Sequence, residues 1–447
     1  MGAIVAWHVY DPAPKALVVQ EPGADNRPEG SERVSDEVRI GEFFMEYGKS
    51  ESALNGSWAK FRGEDFSNIV AEKIEVTAAD YPVEWSFTTG EGHAAAAIHR
   101  GRVYVLDYDE ALSSDMLRCF ALDGGKELWR RWYRVPMKRN HGFSRTIPAV
   151  GDDYVATLGP EGHIMVCDPV SGDLLWTRDL KKEYATEVPF WYAGQCPLVE
   201  DGMLIVAPAG DSVLMAAYDI RTGEVKWECE NSVGYKMSHS SVAPMVVDGR
   251  RTLVYMGVGG VCGVSPEGRL LWSCDKWQPS VIAPSALRLN NNEILLVAGY
   301  GAGGARLRVE GGRATIVEQW KPSEGLASEQ QTPIHLGSLV LSVLPKDGGA
   351  NRSKLVAYNV EDLRNAIWSS GADERFGLGP YMVIGDKLFV LQDEGELYVY
   401  QIGNKGFKLL KKQSVIENGA DAWGPLAYAD GRLILRDAHQ IICLKIN

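Results

Sequence analysis

Along most of the chain apolar and polar residues alternate with a period of two, in runs of four to eight residues broken by glycine, aspartate and asparagine. That period is the signature of strands with one buried face, and D-G, G-D and N-N breaks between paired runs predict antiparallel hairpins. Seven such hairpins follow a small or polar residue and a proline. They are TIPAVGDDYVATLG from Thr146, CPLVEDGMLIVAP from Cys196, APMVVDGRRTLVYMG from Ala243, APSALRLNNNEILLVAG from Ala283, TPIHLGSLVLSVLP from Thr332, GPYMVIGDKLFVLQD from Gly379 and GPLAYADGRLILRD from Gly424. An eighth, HAAAAIHRGRVYVLD from His93, fits the frame without the proline.

A second marker runs in phase with the first. Glycine precedes tryptophan by four residues at Gly125/Trp129, Gly172/Trp176, Gly223/Trp227 and Gly268/Trp272, and degenerate copies end at Trp85, Trp320 and Trp368. The tryptophans are spaced by 44, 47, 51, 45, 48 and 48 residues. Each unit thus holds a hairpin, a third strand such as IMVCDP or KLVAYNV, and a fourth carrying the tryptophan. Four strands in about 47 residues is the arithmetic of a propeller blade. The tryptophans are expected between adjacent blades with each indole N–H on a neighbouring carbonyl, and the glycines in the turns before them.

The last unit, from Gly424, stops at Asn447 without a fourth strand, while YPVEWSFT (Tyr81 to Thr88) is a tryptophan strand without a hairpin. The expected fold is therefore all-β: an eight-bladed β-propeller of four-stranded antiparallel blades, closed by an N-terminal strand that completes the C-terminal blade. Closure removes free sheet edges. Residues 1–80 form an extension and residues 81–447 the propeller. Within the extension DNRPEGSER from Asp25 reads as loop, and GEFFMEYGKSESALNGSWAKF (Gly41 to Phe61) as the place for a short helix. MGAIVAWHVY (Met1 to Tyr10) lacks a cationic leader region and is either the remnant of a removed leader or anchor, or a strand.

Composition narrows the function. The 447 residues carry 46 basic and 59 acidic side chains, a formal charge of −13, with the basic ones scattered, so nucleic acid is not an expected partner. No stretch approaches 18 apolar residues, so no membrane span is expected. The seven cysteines form no C-x-x-C and are read as small buried hydrophobes.

The D-x-x-x-G-x-x-x-W ending of Asp168 to Trp176 and Asp219 to Trp227 resembles the repeat of quinoprotein-like (PQQ-like) β-propellers. That superfamily holds the pyrroloquinoline-quinone dehydrogenases and the assembly lipoprotein of the outer-membrane β-barrel machinery. GSWAKFRG (Gly56 to Gly63) resembles the W-x-x-F-R-G opening of exported members. The resemblance implies the propeller and an extracytoplasmic location, periplasmic or anchored through a removed leader. In the dehydrogenases it also implies a vicinal disulfide over the quinone and a Ca²⁺ held by Glu, Asn and Asp. No Cys-Cys pair or matching acidic cluster stands in this sequence, so neither PQQ nor Ca²⁺, nor any other cofactor or metal, is expected. A non-catalytic binding or scaffold role follows, with a protein partner in a cell-envelope or electron-transfer assembly, or a small ligand. The alternative is a quinone- or metal-dependent oxidoreductase or a carbohydrate-active enzyme.

Loops preceding the innermost strands converge on a propeller's channel. They place His93, His141, Arg145, Trp191, Tyr192, Gln195, His239, Glu329, Gln330, Arg375, Asp421 and Trp423 at one mouth. There they form either a polar network tying blades together, a ligand or metal site built from Arg145, His141, His239, Glu329 and Asp421 or, with Glu329 and Asp421 as an acid/base pair, a catalytic one. The aromatics suit a sugar or peptide and the arginines a carboxylate. GYGAGG (Gly299 to Gly304) reads as a tight turn, Lys346 and Asp347 as a salt-bridged surface pair, and His163 as structural.

Overall fold

The computed structural model describes residues 37–49, 52–403 and 406–446. Met1–Tyr10 and Asp25–Arg33 lie outside them. The described residues from 39 onward form eight sheets in a closed ring, each built on four antiparallel strands. Seven blades each draw their four strands from one stretch of chain: residues 97–134, 149–179, 198–230, 243–274, 287–320, 334–369 and 381–414. The eighth takes three strands from residues 427–445, and Val83–Thr88 supplies its outer edge, with Cys443 opposite Trp85 and Gln440 opposite Thr88. All eight expected hairpins are present, and the chain's end is completed by its N-terminal strand.

The tryptophan–glycine pair is one device split across two blades. The glycine of each G-x-x-x-W sits against the tryptophan of the blade before it: a Cβ on Gly125, Gly172, Gly223 or Gly268 would come within 2.5–2.8 Å of the ring of Trp85, Trp129, Trp176 or Trp227. These glycines have φ between +64° and +84°, so one residue turns the chain left-handedly and leaves room for a ring. The indole N–H groups of Trp85, Trp176 and Trp320 donate to the carbonyls of Leu122, Ile220 and Leu326 at 2.7–2.8 Å. Those of Trp129 and Trp227 find no acceptor among the described residues, contrary to the expected uniform bond; packing, not hydrogen bonding, is what the repeat shares. The cysteines are buried and unbridged, with Cys119, Cys167, Cys262 and Cys443 on third strands.

Residues 41–70 depart from the expected loop and short helix. Among the described residues of this stretch there are three strands and no helix: β1 (Phe43–Glu46), β2 (Ser57–Trp58) and β3 (Ile69–Val70). The backbone groups of these short runs are satisfied by existing sheets, which overrides local helix preference. Strand β1 adds to the outer edge of the first blade, where Phe43 stacks on Trp132. Strand β2 pairs antiparallel with the first blade's inner strand, and β3 parallel with the seventh's. The chain therefore rises inside the channel along one blade and descends along another.

The tip of this excursion is the W-x-x-F-R-G motif. Trp58 is buried with Gly63 (φ +78°) folded onto its ring. Arg62, 4 % exposed, donates to four backbone carbonyls, those of Phe66, Ser67, Thr332 and Pro333, at 2.8–3.1 Å. Ala59 accepts from Val150 of the second blade, and Asn68 donates to Tyr381 of the seventh. A plug of some fourteen residues thus ties distant blades across the axis.

Candidate functional site

The small residues ahead of the inner strands build the wall of the channel. Ile147 N–H meets Cys196 Sγ at 3.3 Å, Cys196 N–H donates to Ser241 Oγ at 2.9 Å, Ser241 N–H to Ser285 Oγ at 3.2 Å, and Ser285 N–H to Thr332 Oγ1 at 2.8 Å. From the second blade to the sixth, each blade hands a backbone donor to a side chain of the next, which satisfies buried N–H groups with side chains small enough to leave the axis open.

This wall, through Ile147, Cys196 and Ser241, and Phe61 of the plug line a cavity of about 550 Å³. Of the residues placed at the mouth by sequence, His93, His141, Arg145, Trp191, His239, Glu329, Gln330 and Trp423 line it. The other four do not. Gln195 is fully buried, with its amide bonded to both backbone groups of Ala207, so it splints the third blade. Tyr192 donates its hydroxyl to the Lys138 carbonyl, Arg375 donates to the Arg352 carbonyl, and Asp421, at φ +51°, stands exposed in its loop. Glu329 and Asp421 therefore do not face each other across this cavity as the expected acid/base pair.

Loops between second and third strands open on the same face and supply residues that sequence reasoning set aside or passed over: Tyr300, Lys346 and Asp393. Gly299 to Gly304 does turn tightly, but it carries Tyr300 into the mouth at φ +54°. Lys346 forms no ion pair with Asp347, whose carboxylate instead accepts from Gly301 N–H at 3.0 Å. His163 is buried away from the cavity, edge-on to Tyr133.

Two aromatic groups face the space. Trp191 is stacked with Tyr300 at 5.6 Å and has His239 at 6.2 Å. The loop that carries it follows a five-residue helix, Leu180–Tyr184, capped by Asp179 and anchored by Tyr184, which hydrogen-bonds Glu228 and Tyr218 of the third blade. The other group pairs Trp423 with His93 at 4.8 Å, and Trp423 Nε1–H donates to Asp393 Oδ1 at 3.0 Å.

Between them the charges are unpaired. Arg145 spends Nε and Nη2 on the carbonyls of Trp191, Asn140 and His141, and forms no ion pair with any described residue. Burial brings its pKa down to about 10, still cationic at neutral pH. The Glu329 carboxyl, on a residue 6 % exposed, receives no hydrogen bond from any described residue; burial raises its pKa, with Lys346 pulling the other way from a distance. Burial likewise lifts Asp393 to about 6 and pushes His93 and His239 down to about 3 and 4, the latter two also repelled by Arg145. Among the described residues no three His, Cys, Asp or Glu side chains converge as metal ligands. With no adjacent cysteines either, the donor set does not fit a quinone–Ca²⁺ pair of the dehydrogenase kind.

Residues 113–364 match the family model described as outer membrane protein assembly factor BamB. No curated protein matches in sequence. Among solved structures, BamB from Moraxella catarrhalis is similar at 14 % identity and TM-score 0.54, covering 82 % of this chain and 100 % of its own. Quinohemoprotein alcohol dehydrogenase from Comamonas testosteroni is similar at 12 % identity and TM-score 0.58, covering 87 % of this chain and 80 % of its own. The C-terminal WD40 domain of Sif2 is similar at 13 % identity and TM-score 0.51, covering 83 % and 100 %. At these identities the likeness is one of fold.

Proposed function

Since the chain belongs to the family of the outer membrane protein assembly factor BamB, we propose that it is a non-catalytic binding propeller of the bacterial cell envelope, acting outside the cytoplasm. Its mouth cavity takes a small ligand or the protruding segment of a protein partner. One observation carries this reading: the cavity presents an Arg145 guanidinium in no ion pair and a Glu329 carboxyl that receives no hydrogen bond from any described residue. The free atoms of both face solvent, so a ligand that engages them replaces water at two fixed polar groups. No helix among the described residues is long and apolar enough to cross a membrane.

The test is native mass spectrometry of the full chain isolated from a bacterial envelope fraction. The expected result is a retained small molecule or partner that the double variant Trp191→Ala/Tyr300→Ala releases. Recovery of the chain from the cytoplasm alone, with no retained mass, would overturn the proposal.

A second reading, acid/base chemistry on a saccharide, is supported by the two carboxyls that burial raises at the cavity, Glu329 and Asp393. It is weakened by Asp393, whose Oδ1 is already engaged by Leu378 N–H and Trp423 Nε1–H. No step is assigned to a quinone, because the donor set does not fit one.

A further inference from the structure

We propose that the mouth cavity is a subsite for an acidic sugar: a uronic acid residue with its carboxylate on Arg145, its hydroxyls on Glu329 and Gln330, and its ring face against Tyr300 and Trp191. This rests on the binding reading above and adds to it the chemical class of the ligand.

Arg145 is the anchor. Its bonds to three carbonyls fix the guanidinium plane, and Nη1 has no partner among the described residues. A planar fork held in place but lacking a counter-ion is matched in shape and charge by a carboxylate. The cavity is lined by two cations, Arg145 and Lys346, and two carboxyls, Glu329 and Asp393, so in a chain that carries −13 the place of an anion is set by the Arg145 fork itself.

Glu329 decides what the rest of the ligand is. Gly299 packs so closely against its side chain that a Cβ there would lie 2.4 Å from Cγ, so the carboxyl is held in place. Its oxygens receive no hydrogen bond from any described residue, and burial raises its pKa. A sugar hydroxyl can donate to such a carboxyl whether it is ionised or neutral. An ammonium group, as in an amino acid or a peptide N-terminus, would share the site with the Arg145 and Lys346 cations, whereas hydroxyls meet no such conflict. Gln330 beside it adds a second donor–acceptor pair.

The aromatic wall supplies the apolar part. Tyr300 is 53 % exposed and stacked with Trp191 at an interplanar angle of 21°, leaving ring surface open at the cavity. The C–H face of a pyranose carries slight positive charge and packs on the negative face of such a ring. A cavity of about 550 Å³ is within the range of small-molecule sites and is roomy enough for a sugar ring and its neighbour.

The test is calorimetric titration of the full chain at pH 7 with cellobiouronate, with cellobiose, which lacks only the carboxylate, and with glutarate, which lacks the ring. The expected result is binding of cellobiouronate with a Kd below about 1 mM and at least about tenfold weaker binding of the other two. Tyr300→Ala, at an exposed side chain that the fold does not need, is expected to weaken cellobiouronate at least about fivefold. Glu329→Gln keeps donor and acceptor and stays within about threefold, while Glu329→Leu loses at least about tenfold. Equal affinity for cellobiouronate and cellobiose overturns the carboxylate assignment, and an unchanged Kd in Tyr300→Ala overturns the site. If the sugars fail but an acidic tetrapeptide binds and Tyr300→Ala abolishes it, the saccharide assignment falls and the mouth remains a binding site. If neither sugar nor peptide binds and no mass is retained by the native chain, both readings fall.

Discussion

Replacing Trp85 by alanine removes the seam between the eighth blade and the first. The indole is 7 % exposed, lies against Gly125 of the first blade, and donates to the Leu122 carbonyl at 2.7 Å. Truncating a buried tryptophan costs about 3 to 5 kcal/mol, and the orphaned carbonyl places this site at the upper end, about 5 kcal/mol. Trp368 is the internal control: it holds the same repeat position but is only half-buried, stacked on Phe407 at 4.7 Å with no indole hydrogen bond to a described residue. Its truncation is expected to cost about 2 kcal/mol. Urea unfolding followed by circular dichroism gives the two values, and hydrogen exchange at Gln440–Lys445, the strand beside β4 (Val83–Thr88), reports whether the loss is local to the seam. Equal costs for the two variants, within about 1 kcal/mol, would refute the view that buried inter-blade contact sets the contribution of each tryptophan.

Further outcomes follow from other sites. Gly223→Ala puts a Cβ 2.6 Å from Trp176 at φ +71°, and is expected to destabilise by about 3 kcal/mol, whereas Gly202→Ala, at φ +72° with open space around it, costs about 1 kcal/mol; the same urea titration compares them. Arg62→Ala strips four carbonyls of their donor, and limited proteolysis should then cut within residues 57–70, which the native chain protects. His93 has its folded pKa lowered from 6.5 to about 3, so between those values the unfolded chain binds the extra proton and stability falls as pH falls. His93→Gln should flatten that acid slope by up to about 1.4 kcal/mol per pH unit, measured as urea midpoints between pH 6.5 and 4.

The ring was legible because its instructions recur. Hairpin alternation, the D-G turns and the glycine–tryptophan pair each repeat with one period, and the tail lacking a fourth strand pointed to Val83–Thr88 as its completion. The strands at Phe43–Glu46, Ser57–Trp58 and Ile69–Val70 were not legible, since two to four residues carry no period and their pairing depends on sheets hundreds of residues away. At the mouth, the loops ahead of the inner strands gave eight lining residues by position alone. The neighbouring Gln195, Tyr192 and Asp421 were lost because facing the axis is a matter of loop dihedrals that spacing does not encode. Tyr300, Lys346 and Asp393 had a signal: each lies between the second and third strands of its unit, the connection that opens on the same side as the loops before the inner strands.

The pairing of Val83–Thr88 with Gln440–Lys445 joins segments separated by roughly 350 positions. On a ribosome the first partner emerges long before the second exists, so throughout translation it stays an unfilled sticky flank. Most strands of the ring can pair with neighbours close in sequence, each sheet resting on its predecessor, but the eighth sheet waits for two distant segments. Theirs is the most non-local strand pairing among the described residues, and the interval before it is when a chaperone would have most to protect.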